Sequence, residues 1–369
     1  MKALAVKLKP RGPFHFGERG VGIEETEALA HSDTIFSALC WAWTLLFGEA
    51  ELEKLLGRFL DGQPPFLISS ALPYVGEVLF LPRPLTVKGW DEEEIRRLKR
   101  VGYISLEVYK LLLAGSLPQE PILIQDRRLW LTEGEFEWLR LQDPLLDEDE
   151  LRGFLREWAS LGRVRKPESV QYAHCYRLWE IGEVPHVAVD RVTSASNIFH
   201  EGDVRFAEGC GMYILARFLD EEVQGRFLAA IRLLGDEGLG GRRSAGRGFF
   251  EVKEAGKVEI PEAADGDRAM LLSLLNPREG ELSALLSPGD VAYRLVARRG
   301  WVYSARARNL RRKRVMMFAE GSVLGRVEGD FAGRMVNVLP RGGAVPHDVY
   351  RYGYGLFVRL PKSLRLRKS

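Results

Sequence analysis

The chain has 369 residues, of which 46% are hydrophobic and 28% charged, enough to bury a substantial core in about two domains. Collagen-like and disordered classes are excluded, and so is a disulfide scaffold, because the three cysteines, Cys40, Cys175 and Cys210, are odd in number and widely spaced. Basic residues number 53 and acidic ones 51, a net charge of +2 that makes no global electrostatic case for nucleic acid or membrane. Any basic surface must therefore be local. Of the basic residues 40 are Arg and 13 Lys, and the planar Arg fork suits phosphate and base recognition. The first apolar run is too short for a signal peptide and no stretch reaches about 18 consecutive apolar residues, so a cytoplasmic protein without a membrane span is expected.

In chain order, residues 3–8 read as a strand stopped by Pro10, Gly12 and Pro13. A helix start follows at His31-Ser32-Asp33-Thr34, and Ile35, Phe36, Leu39, Trp43, Leu46 and Phe47 recur at helical spacing until Gly48. Residues 50–180 read as an irregular insertion with short helices near 51–60, 91–100 and 147–161. Two strands, Val187–Val192 and Cys210–Phe218, then flank the polar stretch 193–197, which predicts a hairpin over about 187–218 with a long projecting tip. Val223, Phe227, Leu228, Ile231 and Leu234 mark a helix face that runs into the glycine-rich stretch 238–248 and a strand at 249–252.

This strand, helix, strand, strand, helix, strand order predicts an α+β fold in which residues 1–256 form a ferredoxin-like (RRM-like) domain with a large insertion. Strands near 269–274, 291–295, 315–319 and 356–360 predict a second, smaller α+β domain over 257–369.

The stretch 238–248 holds five Gly and three Arg in eleven residues, and glycine lets backbone N–H groups approach a ligand and form an anion-binding nest. Arg242, Arg243 and Arg247 would add charge-assisted bonds to phosphate oxygens. A nucleotide-binding loop is excluded. Gly241 to Gly246 has the right spacing, but Arg247-Gly248 follows in place of Lys-Ser/Thr, and the loop runs from helix to strand.

His31-Ser32-Asp33 contains the residue types of a hydrolase triad, but consecutive side chains do not converge. Ser32 or Asp33 is instead expected to cap the helix, leaving other N–H groups for a phosphate. From Arg294 to Arg314 nine basic residues fall without an acidic one, interleaved with Trp301 and Tyr303, a pattern that suits phosphates and unpaired bases as well as a solvated face. Tyr350 to Gly355 is a further aromatic and basic patch. None of the six histidines has metal spacing, and His15 is the sole candidate for a general base.

Three of these segments together resemble the RAMP proteins of type III CRISPR interference complexes, most closely the type III-A Csm subunit that caps the crRNA 5′ end. The segments are His31 to Leu39, the glycine-rich stretch, and Val189-Asp190-Arg191-Val192-Thr193 leading into a thumb. Glu320-Gly321-Ser322 and Tyr350 to Gly355 are similar to that subunit's C-terminal half.

The resemblance implies two ferredoxin-like domains and a non-catalytic, metal-free and cofactor-free role holding the 5′ handle of crRNA. It also implies access to target RNA through the complex, and contacts with a large polymerase-like subunit and a backbone subunit. The RNA-binding residues expected are His31, Ser32, Arg191, Gly238, Gly240, Gly241, Arg242, Arg243, Ser244, Gly246, Arg247 and Gly248. A repeat endoribonuclease using His15 or His31, and a protein-only scaffold, are the alternatives.

Overall fold

The computed structural model of the chain describes residues 1–17, 26–86, 96, 98–116, 121–142, 176–264, 266–287, 291–302, 310–340, 347–362 and 364. In chain order the N-terminal elements are β1 (Lys2–Pro10), α1 (Ser32–Phe47), α2 (Glu49–Leu60), β2 (Phe66–Ile68), β3 (Leu72–Val75), β4 (Val78–Pro82), β5 (Tyr103–Ser105), α3 (Leu106–Leu113), β6 (Ile122–Ile124), β7 (Leu129–Leu131) and α4 (Glu133–Gln142). Next come β8 (Trp179–Val189), β9 (Ser196–Phe206), β10 (Cys210–Phe218), α5 (Gln224–Glu237) and β11 (Phe250–Glu259). The C-terminal part carries β12 (Arg268–Leu271), α6 (Leu282–Leu285), β13 (Leu295–Arg298), β14 (Val315–Phe318), β15 (Val323–Leu324), and short strands up to β20 (Phe357–Leu360).

Among the described residues, nine strands form one sheet in the order β11-β1-β10-β3-β4-β5-β7-β6, with β2 also paired to β10. β1 runs antiparallel to both neighbours, β10 and β11. Two strand-helix-strand crossovers, β1-α1-β2 and β10-α5-β11, therefore interlock, with α1 and α5 packed together. The reason α1 forms is visible in its burial: Ile35, Phe36, Leu39, Ala42 and Trp43 make one apolar stripe, and Gly48 at φ 88° ends the helix.

The expected insertion is shorter than 50–180. Residues 66–82 belong to the main sheet, because β2, β3 and β4 are almost wholly buried apolar runs that only a sheet covered on both faces accommodates. The helix expected at 147–161 and the pair His174-Cys175 lie outside the described residues, as does most of the helix expected at 91–100.

The hairpin also differs from expectation. β8 pairs with β9 over eleven rungs, from Trp179 opposite Phe206 to Val189 opposite Ser196, while Cys210–Phe218 joins the main sheet. Within β9 residues 196–198 and His200 are exposed and the buried stretch Glu201–Val204 holds two acids and a glycine, so no hydrophobic alternation betrays the strand.

In the C-terminal part β12 lies between β15 and β20, β13 pairs with β14, and α6 is the one α-helix among the described residues. The strand expected at 291–295 lies at Leu295–Arg298. The main apolar core crosses the boundary expected at 256, since Met270, Tyr352, Tyr354 and Val358 pack in it with Phe36, Phe59 and Phe66. Phe36 stacks on Tyr352 at 4.7 Å, and Phe59 meets Tyr354 at 5.7 Å. No helix among the described residues is long and apolar enough to cross a membrane.

Candidate nucleic-acid interface

A cleft of about 1270 Å³ opens between α1, α2, the glycine-rich loop and the C-terminal part. Four segments singled out in the sequence line it: His31 with the start of α1, Gly238 to Arg243, Arg298 to Val302 with Arg312, and His347 to Arg351. His15 lines it as well.

At one end of the cleft, the start of α1 is a knot of charges. His31 is the N-cap residue, and no side chain caps the helix, contrary to the expectation for Ser32 and Asp33. Ser32 is fully buried: its N–H donates to Ser70 Oγ at 2.9 Å, and its Oγ accepts from Leu274 N–H at 3.1 Å. Asp33, 3% exposed, accepts from Arg298 Nε and Nη2 at 3.1 Å each and from Arg351 Nη1. Arg351 also donates to the Arg299 carbonyl at 2.7 Å. These residues fasten the helix to the C-terminal part because their partners lie there.

His31 Nδ1 lies 2.7 Å from Glu320 Oε1 and its Nε2 3.2 Å from Glu27 Oε1. Burial opposes the imidazolium, but the Glu320 carboxylate and the hydrogen bonds to Glu27 and Glu320 outweigh it and raise His31 to about 10. Glu320, which also accepts from Ser70 Oγ, is buried too, yet His31 holds it down at about 2. Burial would likewise raise the Asp33 carboxyl, but Arg298 and Arg351 hold it well below the usual range.

Arg312 completes this wall with a 3.4 Å contact from Nη1 to Ser37 Oγ on α1. Burial, aided by Arg351 and Arg298, lowers its guanidinium to about 10. Its Nε is buried without a hydrogen-bond partner among the described residues. Three guanidiniums thus crowd round Asp33, and Arg312 is the least compensated of them.

The glycine-rich loop forms the facing wall. Gly238, Gly240, Gly246 and Gly248 all have positive φ, and a Cβ on Gly240 would sit 2.6 Å from the His15 carbonyl. Gly240 and Gly241 are required by packing against His15 and Phe16, and Gly248 by the Leu239 backbone; Gly241 N–H donates to the His15 carbonyl and Gly248 N–H to the Pro13 carbonyl, both at 2.9 Å. Leu239, Ala245, Gly246 and Arg247 also donate their N–H groups to protein carbonyls. The backbone nest expected for a phosphate is therefore largely filled from within.

The arginines of the loop are divided. Arg242 pairs with Glu201, and Arg247 Nε lies 2.8 Å from Asp203 Oδ1, both acids standing on one face of β9. Between them the Gly202 carbonyl accepts from His15 Nδ1 at 2.8 Å. Glu201 and Asp203 are 3% and 1% exposed, so they face the loop and not solvent. Arg242 and Arg243 line the cleft; Arg247 does not. Ser244 and Gly246 are exposed beside it, whereas Arg191 sits at the exposed hairpin tip, away from the cleft wall. The outer face of the hairpin carries Val187, Val189 and Ile198, each more than half exposed.

Sequence reasoning missed the partners Glu27, Glu201 and Asp203, and the role of Arg312 within a longer basic run. For Glu201-Gly202-Asp203 the signal was present, two acids spaced to share a strand face, once a strand there is recognised. Tyr303, Arg306 and Arg308 of that basic run lie outside the described residues.

Residues 264–360 match the family described as the CRISPR Csm4 C-terminal domain. The CRISPR system Cms protein Csm4 of Thermococcus onnurineus is 30% identical over 377 residues, covering 98% of this chain and 99% of that protein. The protein of the same name from Methanocaldococcus jannaschii is 24% identical over 394 residues, covering 96% of each. In fold, the chain is similar to one in the crystal structure of a Csm3-Csm4 subcomplex of the type III-A CRISPR-Cas interference complex (TM-score 0.61, 20% identity, 98% and 99% covered). It is also similar to one in a Csm1-Csm4 cassette crystallised with cA4 (TM-score 0.57, 23% identity, all of both chains covered). With its whole length matched by a relative of that name, the chain belongs to the Csm4 family of CRISPR Csm proteins.

Proposed function

We propose that the cleft is a guide-RNA site, and that the chain holds the 5′ handle of crRNA while bridging a Csm1-like large subunit to Csm3-like backbone subunits of a type III-A effector. The observation that carries this reading is the surplus of positive charge on the cleft wall. Arg298 and Arg351 bond the Asp33 carboxylate, Arg298 also lies 3.8 Å from Glu27, and the poorly compensated Arg312 lines the same cavity as Arg242, Arg243 and Arg299. Such a gap between guanidiniums suits a phosphodiester chain. The relatives found with Csm1 and with Csm3 supply the bridging role.

In this reading residues 1–256 are a ferredoxin-like domain, supported by the interlocked crossovers, and 257–369 a reduced second one on the same core. His31, held as an imidazolium between two carboxylates, fits a structural duty better than acid–base catalysis, in keeping with a non-catalytic subunit. His31 and Ser32 shape the cleft end, with Arg242 and Arg243 the loop's phosphate contacts; Gly238, Gly240, Gly241, Gly246 and Gly248 give the loop its path, and Ser244 lies at its rim. The hairpin, with Arg191 at its tip and Val187, Val189 and Ile198 on its outer face, would lie between guide and target bases.

The test is co-purification of the tagged chain with its genomic neighbours, followed by sequencing of bound RNA. Short RNAs sharing one fixed 5′ handle, together with a large and a backbone subunit, support the reading. The chain alone with cleaved repeat fragments, lost on His15→Ala, would overturn it in favour of a nuclease.

A further inference from the structure

The hairpin of β13 and β14 is attached on one face only. Val296, Val315 and Met317 pack inward with Leu274, and Arg298 reaches Asp33. The opposite face carries Leu295, Ala297 and Met316, with Tyr293 edge-on to Phe318 at 5.1 Å. Tyr293, Leu295 and Met316 are 47%, 48% and 43% exposed, a cluster of large apolar side chains on an open surface.

One side of β13 is unpaired as well. Phe318, opposite Leu295, exchanges both its backbone bonds with Leu275, on the side of β14 away from β13. Leu295 and Phe318 are therefore a non-hydrogen-bonded pair, and the N–H and C=O groups of Leu295 and Ala297 point away from β14. No strand among the described residues takes them. The free edge of the main sheet, β11, is guarded by exposed Glu251, Lys253, Lys257 and Glu259, a common defence against strand addition. The edge at Leu295-Val296-Ala297 carries no charge.

The charge around this edge has one sign, since no acidic residue occurs from Val291 to Ala319. Exposed Arg294, Lys313 and Arg314 make no ion pair among the described residues, and Arg314 Nη2 lies 3.5 Å from Met316 Sδ. A second copy of the chain would bring arginine against arginine, and the aliphatic centre of the patch offers a nucleobase no ring to stack on.

Resting on the bridging role proposed above and not on RNA binding, we infer that this edge takes an extended segment of a partner protein, added as a strand to β13. Its side chains alternate, apolar ones beside Tyr293 and Leu295 and acidic ones beside Arg294; backbone bonds to Leu295 and Ala297 hold it, and the alternation sets its register.

The chain carrying p-benzoylphenylalanine in place of Tyr293 is co-expressed with its genomic neighbours, the assembly is isolated and irradiated, and the crosslinked peptides are identified by mass spectrometry. The expected result is a crosslink to one segment of a large or backbone subunit in which apolar residues alternate with Asp or Glu. Ala297→Pro removes an outward N–H and leaves the ladder to β14 intact, so it lowers the crosslink yield about two- to tenfold, the worth of one hydrogen bond. Arg294→Gln, which disturbs no backbone bond, lowers it about two- to fivefold, and by less at high salt. A crosslink to RNA, to a second copy of the chain or to a segment without acids would overturn strand addition, and so would a yield that neither variant changes. An assembly recovered without the crosslink would overturn strand addition and leave the bridging role standing; the chain recovered alone would overturn both.

Discussion

His31 and Glu320, 289 positions apart in sequence, meet at 2.7 Å between Nδ1 and Oε1, and through them the first long helix is clamped to the C-terminal part. Because His31 is raised to about 10 from an unfolded value of about 6.5, its contribution is complete below about pH 6.5 and is lost as pH rises toward about 10. Thermal melts from pH 6 to 10 should show the midpoint falling across that window. Glu320→Gln should flatten the fall and cost about 3–5 kcal/mol at neutral pH, the penalty for leaving a buried partner unpaired. A midpoint that stays level from pH 6.5 to 10 in the wild type rules this out.

Asp33 and Arg312 should behave in opposite ways. Asp33→Ala leaves Arg298 and Arg351 buried without their shared anion, a loss of about 3 kcal/mol or more that urea denaturation would register. Arg312→Ala removes a like charge from the same cluster, so stability should hold or rise while RNA affinity falls. The slope of log affinity against log salt should shrink by about 0.7 if one phosphate contact is lost on a single strand.

The stem of the hairpin offers a third check. Glu201→Gln with Asp203→Asn should raise amide exchange along β8 and β9 without changing it in β1 and β10. A double-mutant cycle of Arg247→Ala against Asp203→Asn should return a coupling of about 0.5–3 kcal/mol, and a coupling of zero would detach the loop from the hairpin.

Two glycines should respond oppositely to a methyl group. At Gly248, φ is +86° and a Cβ would lie 2.3 Å from the Leu239 carbonyl, so Gly248→Ala should cost well over about 1 kcal/mol. Gly225 lies in α5 with open space round a Cβ, and Gly225→Ala should gain about 0.5 kcal/mol by helix propensity. Equal melting temperatures for the two variants would contradict the packing described for the loop.

β1 was legible as an apolar run ended by Pro10, Gly12 and Pro13, and α1 and α5 because their apolar residues repeat at the spacing of one buried face. The glycine loop was legible as a loop, but its reason was not. The density of glycine looked like room for a ligand, whereas Gly240 and Gly241 make room for His15 and Phe16 and Gly248 for the Leu239 backbone. Asp33 looked like a local cap, because its partners Arg298 and Arg351 lie 265 and 318 positions away and local capping rules carry no information at that distance. β9 was hidden since its outer half is exposed and its buried half is built on Glu201, Gly202 and Asp203, which leaves no hydrophobic period to read.

The hairpin of β8 and β9 is a two-stranded ribbon eleven rungs long, which at about 3.3 Å per residue projects roughly 35 Å. Its root is gripped by the Arg242–Glu201 and Arg247–Asp203 pairs and by His15 on the Gly202 carbonyl. It is therefore a lever pivoting on the cleft wall. About 17–23 Å of ribbon extends beyond those pairs, so a tilt of about 10° there would swing the tip by about 3–4 Å. Any strand that pulled on Arg242 would be felt at the far end of the ribbon.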